Sequence, residues 1–210
     1  MFWMRGLAFI LGLKAEASGN FVTNPSLIVS NHISWLDIVV ISAHGSCTFV
    51  SKSDVKNWPV IGWLANLSGT LFVQRDAKWA INETKQKIQT SLKNGRSVVV
   101  FPEGTTTNGN SVKPFKSALY QSISEFGGTI QAIALHYSTI SGDYSHAAYI
   151  DDDDFVTHLL RVMQMPETRV KLTLLAPHHC EKNSDRKELA DLTYQQICLV
   201  KQTNTETALY

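Results

Sequence analysis

The chain has 210 residues, of which 44% are apolar and 18% charged, and its formal net charge is +1 at neutral pH. This length fits one domain with a sizeable core. The balanced charge argues against a nucleic-acid-binding protein, since such proteins are typically basic. The cysteines, Cys47, Cys180 and Cys198, lie far apart without metal-site spacing, which favours a reducing, cytoplasmic setting.

The N-terminal segment, residues 1–13, is apolar with Arg5 as its single charge. No stretch of the sequence reaches the roughly 18 apolar residues of a membrane-spanning helix. Two interpretations stay open: a helix packed on the domain, or an amphipathic helix in the membrane interface, with Trp3 and Arg5 near the headgroups. We favour the second, and divide the chain into a membrane-associating helical segment, residues 1–20, and a folded domain, residues 21–210.

Beyond this segment, apolar strand-like runs alternate with helical patterns. The predicted strands cover residues 27–30, 48–51, 70–73, 97–101, 129–136 and 169–176, and the predicted helices cover 81–92, 115–126, 155–163 and 186–200. This alternation predicts a single α/β domain whose mixed, largely parallel central sheet is flanked by helices.

The first of these strands leads into Asn31 and His32, and Asp37 follows. Ser34 is a candidate N-cap for the next helix, which would put Asp37 in the first turn. There its carboxylate could bind one imidazole nitrogen of His32, fix the tautomer and leave the other nitrogen to accept a proton from a hydroxyl. The alternative is a capping box, in which Asp37 serves only backbone N–H groups.

Two further strand ends carry candidate binding residues. Arg75 follows a predicted strand, and a guanidinium at the carboxyl edge of an α/β sheet suits a phosphate. Another strand runs into Phe101-Pro102-Glu103-Gly104-Thr105, a turn where glycine lets backbone amides approach a ligand. Lys113 and Lys116 follow near a predicted helix start, which favours an anion. Ordinary surface turns and ion pairs are the structural alternatives.

Three other features have structural interpretations. The segment Trp58–Trp63 is either a helix-turn packed on the sheet or an apolar lip that contacts lipid. The acidic run 151–154 suits the N-terminus of the helix that follows it. The residues His178, His179 and Cys180 point to alternating sides of an extended chain. We therefore expect no metal site.

The motifs, taken in order, resemble those of the glycerophospholipid acyltransferase family, which includes lysophosphatidic acid acyltransferase. Its Asn-His-x4-Asp motif is matched by Asn31, His32 and Asp37, and its Phe-Pro-Glu-Gly-Thr motif by 101–105. The family's Gly-x-x-Phe-x-x-Arg block is matched at 69–75. The resemblance spans about residues 26–137.

Two positions depart from the family pattern. Thr106 stands where the family often has arginine, and Ala132 where its fourth motif usually has proline. The first departure removes one possible phosphate contact, which leaves the headgroup preference open. A Thr-Thr pair at this point is similar to that of lyso-ornithine lipid acyltransferases.

The resemblance implies that the domain at 21–210 moves a fatty acyl group from acyl-carrier protein or acyl-coenzyme A to a lysolipid hydroxyl. 1-Acylglycerol-3-phosphate, giving phosphatidic acid, is the expected acceptor, and lyso-ornithine lipid is the alternative. It implies that His32 is the general base and Asp37 its orienting acid. Arg75 would bind the acceptor phosphate, and the other substrate-binding residues would be Asn31, Glu103, Gly104, Thr105, Lys113 and Lys116.

No Gly-x-Ser-x-Gly motif is present and no cysteine lies near His32 in sequence, so direct attack by the acceptor hydroxyl is expected, without a cofactor. The expected site of action is the cytoplasmic face of the bacterial inner membrane, since a lysolipid lies in the bilayer and its thioester donor in the cytoplasm. A non-catalytic lipid-binding domain is the rival from another class, and metal-dependent hydrolysis is disfavoured because no ligand cluster is evident.

Overall fold

The computed structural model describes residues 2–57, 62, 65, 69–73, 78–139, 146–150 and 153–207. Arg75, both tryptophans of the predicted lip and the first two acids of the run 151–154 lie outside these residues. Among the described helices, none is both long and apolar enough to cross a bilayer.

The described residues form an eight-stranded sheet with the order β1-β7-β6-β2-β5-β3-β4, and β8 also pairs with β6. Every described pairing is parallel except those of β6 with β7 and with β8. The predicted mixed, largely parallel sheet is therefore confirmed. The strands are β1 (Leu13–Ser18), β2 (Ser26–Ser30), β3 (Cys47–Lys52), β4 (Leu71–Val73), β5 (Ser97–Val100), β6 (Gly128–Ser138), β7 (Thr168–Leu174) and β8 (His178–Cys180).

Helices cover both faces of this sheet. One core cluster joins α1, α2 and α5 to the first face, and a second cluster joins α3, α4 and α6 to the other. In β5, Val99 faces the first cluster while Val98 and Val100 face the second, which explains why a strand buried on both sides is continuously apolar. The helices are α1 (Phe2–Ile10), α2 (Leu36–His44), α3 (Lys78–Lys93), α4 (Gln121–Phe126), α5 (Phe155–Gln164) and α6 (Arg186–Thr207).

Sequence patterns missed two strands. The residues Leu13–Ser18, inside the predicted helical segment 1–20, form β1 and pair with β7, so the helix there ends at Ile10. This edge strand is mostly exposed and therefore lacks an apolar run. The second, β8, has only three residues.

Two predicted helix starts were wrong. The helix after His32 begins one residue later than expected, with Trp35 rather than Ser34 at the N-cap position. The helix predicted over 115–126 is a 3-10 turn at Ser117–Tyr120 followed by α4, because the chain is still extended at Lys116.

The first helix meets the domain on one side only. Met4 and Ala8 are buried, and α1 packs against α2, whereas Phe9 and Ile10 are 84% and 69% exposed. One face of α1 is therefore packed on the domain, and the apolar residues on its other side are free to contact a membrane surface. The structure is compatible with both interpretations of the N-terminal segment.

The carboxyl ends of three neighbouring parallel strands meet at one edge of the sheet. His32 follows β2, Phe101 follows β5, and Tyr137 lies near the end of β6. In open α/β sheets, ligand sites form in the crevice at this edge.

Candidate active site

Asn31 attaches the loop after β2 to the neighbouring strand. Its side-chain amide donates to the Leu135 carbonyl at 3.0 Å, and its carbonyl oxygen accepts from the Leu135 N–H at 2.8 Å. The side chain is buried. Both polar atoms of its side chain are therefore hydrogen-bonded to β6, and these bonds fix the first residue of the loop that carries His32.

The structure brings His32 and Asp37 together as the spacing predicts. Imidazole Nδ1 lies 2.7 Å from Asp37 Oδ2. A carboxylate oxygen at this distance accepts a hydrogen bond, so in the neutral imidazole Nδ1 carries the hydrogen and Nε2 carries the lone pair. Within the part of the chain that the structure describes, Nε2 makes no hydrogen bond, and the side chain is 21% exposed.

The Asp37 carboxylate is fully buried and serves several donors at once. Oδ2 also accepts the backbone N–H groups of Ile33 at 2.8 Å and Ser34 at 3.1 Å. The carboxylate thus binds backbone donors, as the capping-box alternative predicted, and the imidazole with the same oxygen. The serine half of a capping box is not formed, since Trp35 is at the N-cap position and no side chain caps the helix.

Tyr137 supplies the remaining contact to this carboxylate. Its hydroxyl donates to Asp37 Oδ1 at 2.8 Å. Burial and the adjacent carboxylate raise the pKa of Tyr137 well above its ordinary value, so the hydroxyl stays a donor. Sequence reasoning missed this residue, although its place at the carboxyl end of a strand next to β2 was a usable signal.

The Glu103 carboxylate binds two backbone N–H groups. One carboxylate oxygen accepts the His32 N–H at 2.7 Å, and the other accepts the Lys113 N–H at 2.7 Å. The side chain is 2% exposed. Burial raises the pKa of Glu103, and the two backbone hydrogen bonds oppose that rise. The carboxylate therefore links the backbone of the loop that carries His32 to the loop that follows β5.

Two more residues of that second loop restrain His32. The Phe101 ring stacks on the imidazole with centroids 4.0 Å apart and planes 13° apart. The Thr107 N–H donates to the His32 carbonyl at 2.9 Å. Together with Glu103 and Asp37, these contacts fix both the ring and the backbone of His32. Sequence patterns gave no sign of the Thr107 contact.

The other predicted binding residues lie around the turn at Gly104. That glycine has φ +75°, a conformation that disfavours other residues, and its N–H donates to the Phe101 carbonyl at 3.1 Å. The Lys116 ammonium lies beside it, since a Cβ on Gly104 would come within 2.5 Å of Lys116 Nζ. Thr105 and the side chain of Lys113 are exposed. These groups border the site, while Arg75 lies outside the described residues.

An apolar cavity of about 250 Å³ opens beside this turn. It runs between β4, β5 and α3, and shares Phe101 with the site. Its walls are mostly aliphatic, with Gly104 and Lys116 at one end; the other lining residues include Val50, Val73, Ile81, Ile88, Val100 and Leu119.

The two described residues of the acidic run lie at the start of α5, as their position predicts. Asp154 is the N-cap of α5 and accepts the Thr157 N–H at 2.9 Å, and Asp153 pairs with Arg161. Among the described residues, no three His, Cys, Asp or Glu side chains converge in a way that could hold a metal ion.

Comparisons with known proteins agree with this geometry. A profile of the acyltransferase family matches residues 13–136. The chain is 37% identical to a lyso-ornithine lipid O-acyltransferase of Pseudomonas aeruginosa, over 94% of this chain and 76% of the relative. It is 30% identical to a 1-acyl-sn-glycerol-3-phosphate acyltransferase of Neisseria gonorrhoeae, over 96% of this chain and 79% of the relative.

The fold also matches a solved structure. The 1-acyl-sn-glycerophosphate (LPA) acyltransferase of Thermotoga maritima superposes with a TM-score of 0.72 over 96% of this chain and 76% of that protein. The two are 18% identical, so this likeness concerns the fold.

Proposed function

Because this chain belongs to the acyltransferase family, we propose that it moves a fatty acyl group from a thioester, acyl-carrier protein or acyl-coenzyme A, to the free hydroxyl of a lysolipid. The observation that carries the proposal is the 2.7 Å contact between His32 Nδ1 and the buried Asp37 carboxylate. It sets the tautomer in which Nε2 can accept a proton, as a general base requires.

In the proposed reaction, His32 Nε2 takes the proton of the acceptor hydroxyl while its oxygen attacks the thioester carbonyl. A carbon–oxygen bond forms, the carbon–sulfur bond breaks, and the imidazolium returns its proton to the leaving thiolate. The Asp37 carboxylate stabilises the imidazolium between these steps. General base catalysis of this kind contributes about 10²–10⁴-fold to rate.

We assign Asn31 and Glu103 to positioning rather than to direct substrate contact. Both polar ends of the Asn31 amide are bonded to Leu135, and each Glu103 oxygen is bonded to a backbone N–H. Binding of an anionic headgroup is assigned to Arg75, Lys113 and Lys116, with Gly104 and Thr105 shaping the turn. Arg75→Ala should raise the acceptor KM.

The acceptor is either 1-acylglycerol-3-phosphate or lyso-ornithine lipid. The second candidate is favoured by the higher identity to the Pseudomonas enzyme, 37% against 30% for the Neisseria enzyme. Thr106 in place of arginine points the same way, since it removes one cation from the headgroup site.

The apolar cavity suits an acyl chain. Of the described residues that line it, Lys85 and Lys116 are the charged ones, and Phe101 stacks on His32. A chain buried there would place its thioester close to the imidazole. Burial of methylenes would supply binding free energy at about 0.8 kcal/mol each.

The exposed end of α1 is the proposed membrane contact, on the cytoplasmic face of the bacterial inner membrane. Phe9→Gln with Ile10→Gln should weaken sedimentation with liposomes, because both side chains are exposed apolar groups. Leu199→Gln on α6, which alters an equally exposed apolar residue, is the matched control. Undiminished liposome binding by the double variant would refute this role.

A paired assay tests the proposed reaction. Wild type, His32→Ala and the control His179→Ala, an exposed histidine of β8, receive each donor with each lysolipid in turn. We expect acyl transfer by wild type and the control, and none by folded His32→Ala. Near-wild-type turnover in His32→Ala would remove His32 as the base. Lipid binding without transfer by wild type would instead support a non-catalytic lipid-binding domain.

A further inference from the structure

The helix α5 exposes a stripe of apolar side chains. Val156, Leu160 and Met163 are 50%, 54% and 56% exposed, and their spacings of four and three residues place them on one side of the helix. The buried residues of α5 lie on the other side. A surface helix normally presents polar groups to water, so three large apolar residues in one stripe indicate contact with another apolar surface.

The first end of α5 lies beside the candidate active site. His158 Nδ1 accepts a hydrogen bond from Trp35 Nε1 at 3.1 Å. The Phe155 ring packs edge-on against the same indole, with ring centroids 5.4 Å apart. Trp35 follows His32 by three residues in the chain. The stripe therefore starts next to the segment that carries the imidazole.

The second end of α5 meets the end of α1 at the same edge of the sheet. The pairing of β6 with β7 sets Ser138 opposite Arg169, and the pairing of β7 with β1 sets Arg169 opposite Lys14. The start of β1 thus lies two strands away from the carboxyl end of β6, where Tyr137 approaches Asp37. A methyl group on Gly12, just before β1, would lie 3.8 Å from the Met165 carbonyl oxygen, just after α5.

The exposed apolar residues of the two helices therefore lie close to one junction. Phe9 and Ile10 precede Gly12 by three and two residues, and Met163 precedes Met165 by two. The proposed membrane contact at the end of α1 thus continues along α5, and the continuous surface follows the sheet edge that holds the imidazole.

The size and charge of this surface fit a lipid bilayer better than a second copy of the chain. A stable protein interface engages roughly 20–30 residues a side, far more than this stripe and the end of α1 supply together. Lys14 and Arg169 at this edge both pair with Glu167, so these charges are balanced. Burial of apolar side chains is then the main attraction, as for a helix that lies in the plane of a membrane interface.

We propose that α5 lies in the membrane interface together with the end of α1, and that the two helices hold the sheet edge with His32 toward the bilayer. The purpose of this orientation rests on the proposed function, because a lysolipid acceptor would then reach the imidazole without leaving the membrane surface. The membrane binding itself requires no acyl transfer.

Binding to phosphatidylcholine vesicles tests the surface directly. Leu160→Gln with Met163→Gln should lower the vesicle partition coefficient roughly tenfold or more, because two apolar side chains no longer enter the lipid. Leu160→Met with Met163→Leu keeps the apolar character and should bind as wild type. Leu199→Gln, on the opposite face of the sheet, is the control. Wild-type binding by the glutamine double variant would overturn the proposal.

Salt and self-association separate the bilayer from other occupants. Wild-type binding to these vesicles should persist in high salt, because salt screens charges but not apolar burial. Loss of binding in high salt would overturn the proposal. A dimer in sedimentation velocity without lipid, lost in the glutamine double variant, would make the stripe a contact between copies and would overturn it as well.

A tryptophan placed in the stripe gives a second readout that keeps the surface apolar. Leu160→Trp should add fluorescence that is quenched by vesicles of brominated phosphatidylcholine, beyond the quenching seen in wild type. Leu199→Trp should add fluorescence without such quenching. Equal quenching of the added fluorescence in the two variants would contradict insertion of α5.

Kinetics separate this surface from the proposed reaction. The glutamine double variant should transfer acyl groups more slowly to a lysolipid embedded in vesicles, and at the wild-type rate to a short-chain lysolipid dissolved as monomers. Equal losses with both acceptors would overturn the proposal. His32→Ala should bind vesicles as wild type does. If wild type transferred no acyl group, the proposed function would fail, and vesicle binding would still decide the role of α5.

Discussion

The segments that follow β2 and β5 each bring a buried carboxylate to the same histidine, but they do so differently. Asp37, in the first turn of α2, binds the imidazole ring of His32 at 2.7 Å. Glu103, in the loop after β5, binds the backbone N–H of His32, also at 2.7 Å. The ring contact favours one tautomer, whereas the backbone contact fixes a position. We therefore expect the two acids to contribute differently to the proposed catalysis despite similar burial and similar distance.

Asp37→Asn should give the largest loss. An Asn oxygen in the place of Oδ2 can still accept the N–H groups of Ile33 and Ser34 and the Nδ1 hydrogen of His32. The side chain loses the negative charge that would stabilise the imidazolium, and its NH2 faces the Tyr137 hydroxyl in place of Oδ1. We expect kcat to fall by about 10²–10⁴-fold, the usual contribution of a general base. Steady-state kinetics with a circular dichroism control would check this, and turnover within tenfold of wild type would contradict the orienting role.

Glu103→Gln should act through position and cost less activity. A glutamine presents one oxygen and one NH2, so the N–H of either His32 or Lys113 would lose its acceptor. We expect kcat to drop by roughly 10–100-fold, and the free energy of unfolding to fall by about 1–3 kcal/mol, the cost of an unsatisfied buried donor.

Glu181→Gln, in an exposed loop, is the matched control for Glu103→Gln and should change neither quantity. A Glu103→Gln enzyme with wild-type kcat and an increased acceptor KM would instead return Glu103 to substrate binding.

Tyr137→Phe tests whether the distant oxygen of Asp37 matters. The variant removes the 2.8 Å hydrogen bond to Oδ1 and leaves the donors on Oδ2 in place. We expect a roughly tenfold lower kcat, in line with the value of a hydrogen bond to a charged group.

Tyr120→Phe makes an equivalent change elsewhere, since the Tyr120 hydroxyl lies 2.7 Å from Thr193 Oγ1 in the second core cluster. Both variants should lose stability in urea unfolding, Tyr137→Phe more because its partner is charged, but only Tyr137→Phe should lose activity. Equal activities would show that the Tyr137 contact is structural.

The smallest effect, one on stability, is expected at His158, which contacts Trp35 at the N-cap of α2. This buried imidazole accepts a hydrogen bond from Trp35 Nε1 at 3.1 Å and makes a 3.0 Å contact from Nε2 to the Ala148 carbonyl. Burial lowers the pKa of His158 below its ordinary 6.5, although the Ala148 contact and Asp153 oppose this.

The unfolded chain then binds a proton more readily than the native state, so stability is lost as the pH falls from 6.5 toward the folded pKa. The slope is at most about 1.4 kcal/mol per pH unit. Urea unfolding from pH 7.5 to 5.5 should show this slope in wild type and a weaker one in His158→Gln. Parallel curves for the two proteins would contradict the assignment.

Much of the fold could be predicted from the sequence because it depends on the local pattern of apolar and polar residues. Strands buried on both faces give continuous apolar runs, as in β2 and β5, and their alternation with helices predicted the layered sheet. The edge strand β1 was missed because most of its residues are exposed, and its alternating apolar positions are one leucine and two alanines, which give a weak hydrophobic signal. Its pairing with β7 is a tertiary event that local sequence does not encode.

The candidate site was readable only where its residues are close in sequence. His32 and Asp37 lie within one loop and one helical turn, so their contact follows from spacing. Tyr137 and Glu103 lie far from His32 and Asp37 in sequence. They contact these two residues only because β5 and β6 both pair with β2, so the contacts depend on the order and register of the sheet.

The bond between Asn31 and Leu135 has a consequence for measuring motion. The backbone pairing between β2 and β6 ends with Ser30 and Ile133. Beyond it, the Asn31 side-chain amide donates to the Leu135 carbonyl and accepts from the Leu135 N–H, as a backbone peptide group would. The Leu135 amide proton is therefore protected by a side chain of the loop that carries His32, while its strand neighbours are protected by backbone. Its hydrogen-exchange rate would report local opening of that loop, separately from global unfolding and without any substrate present.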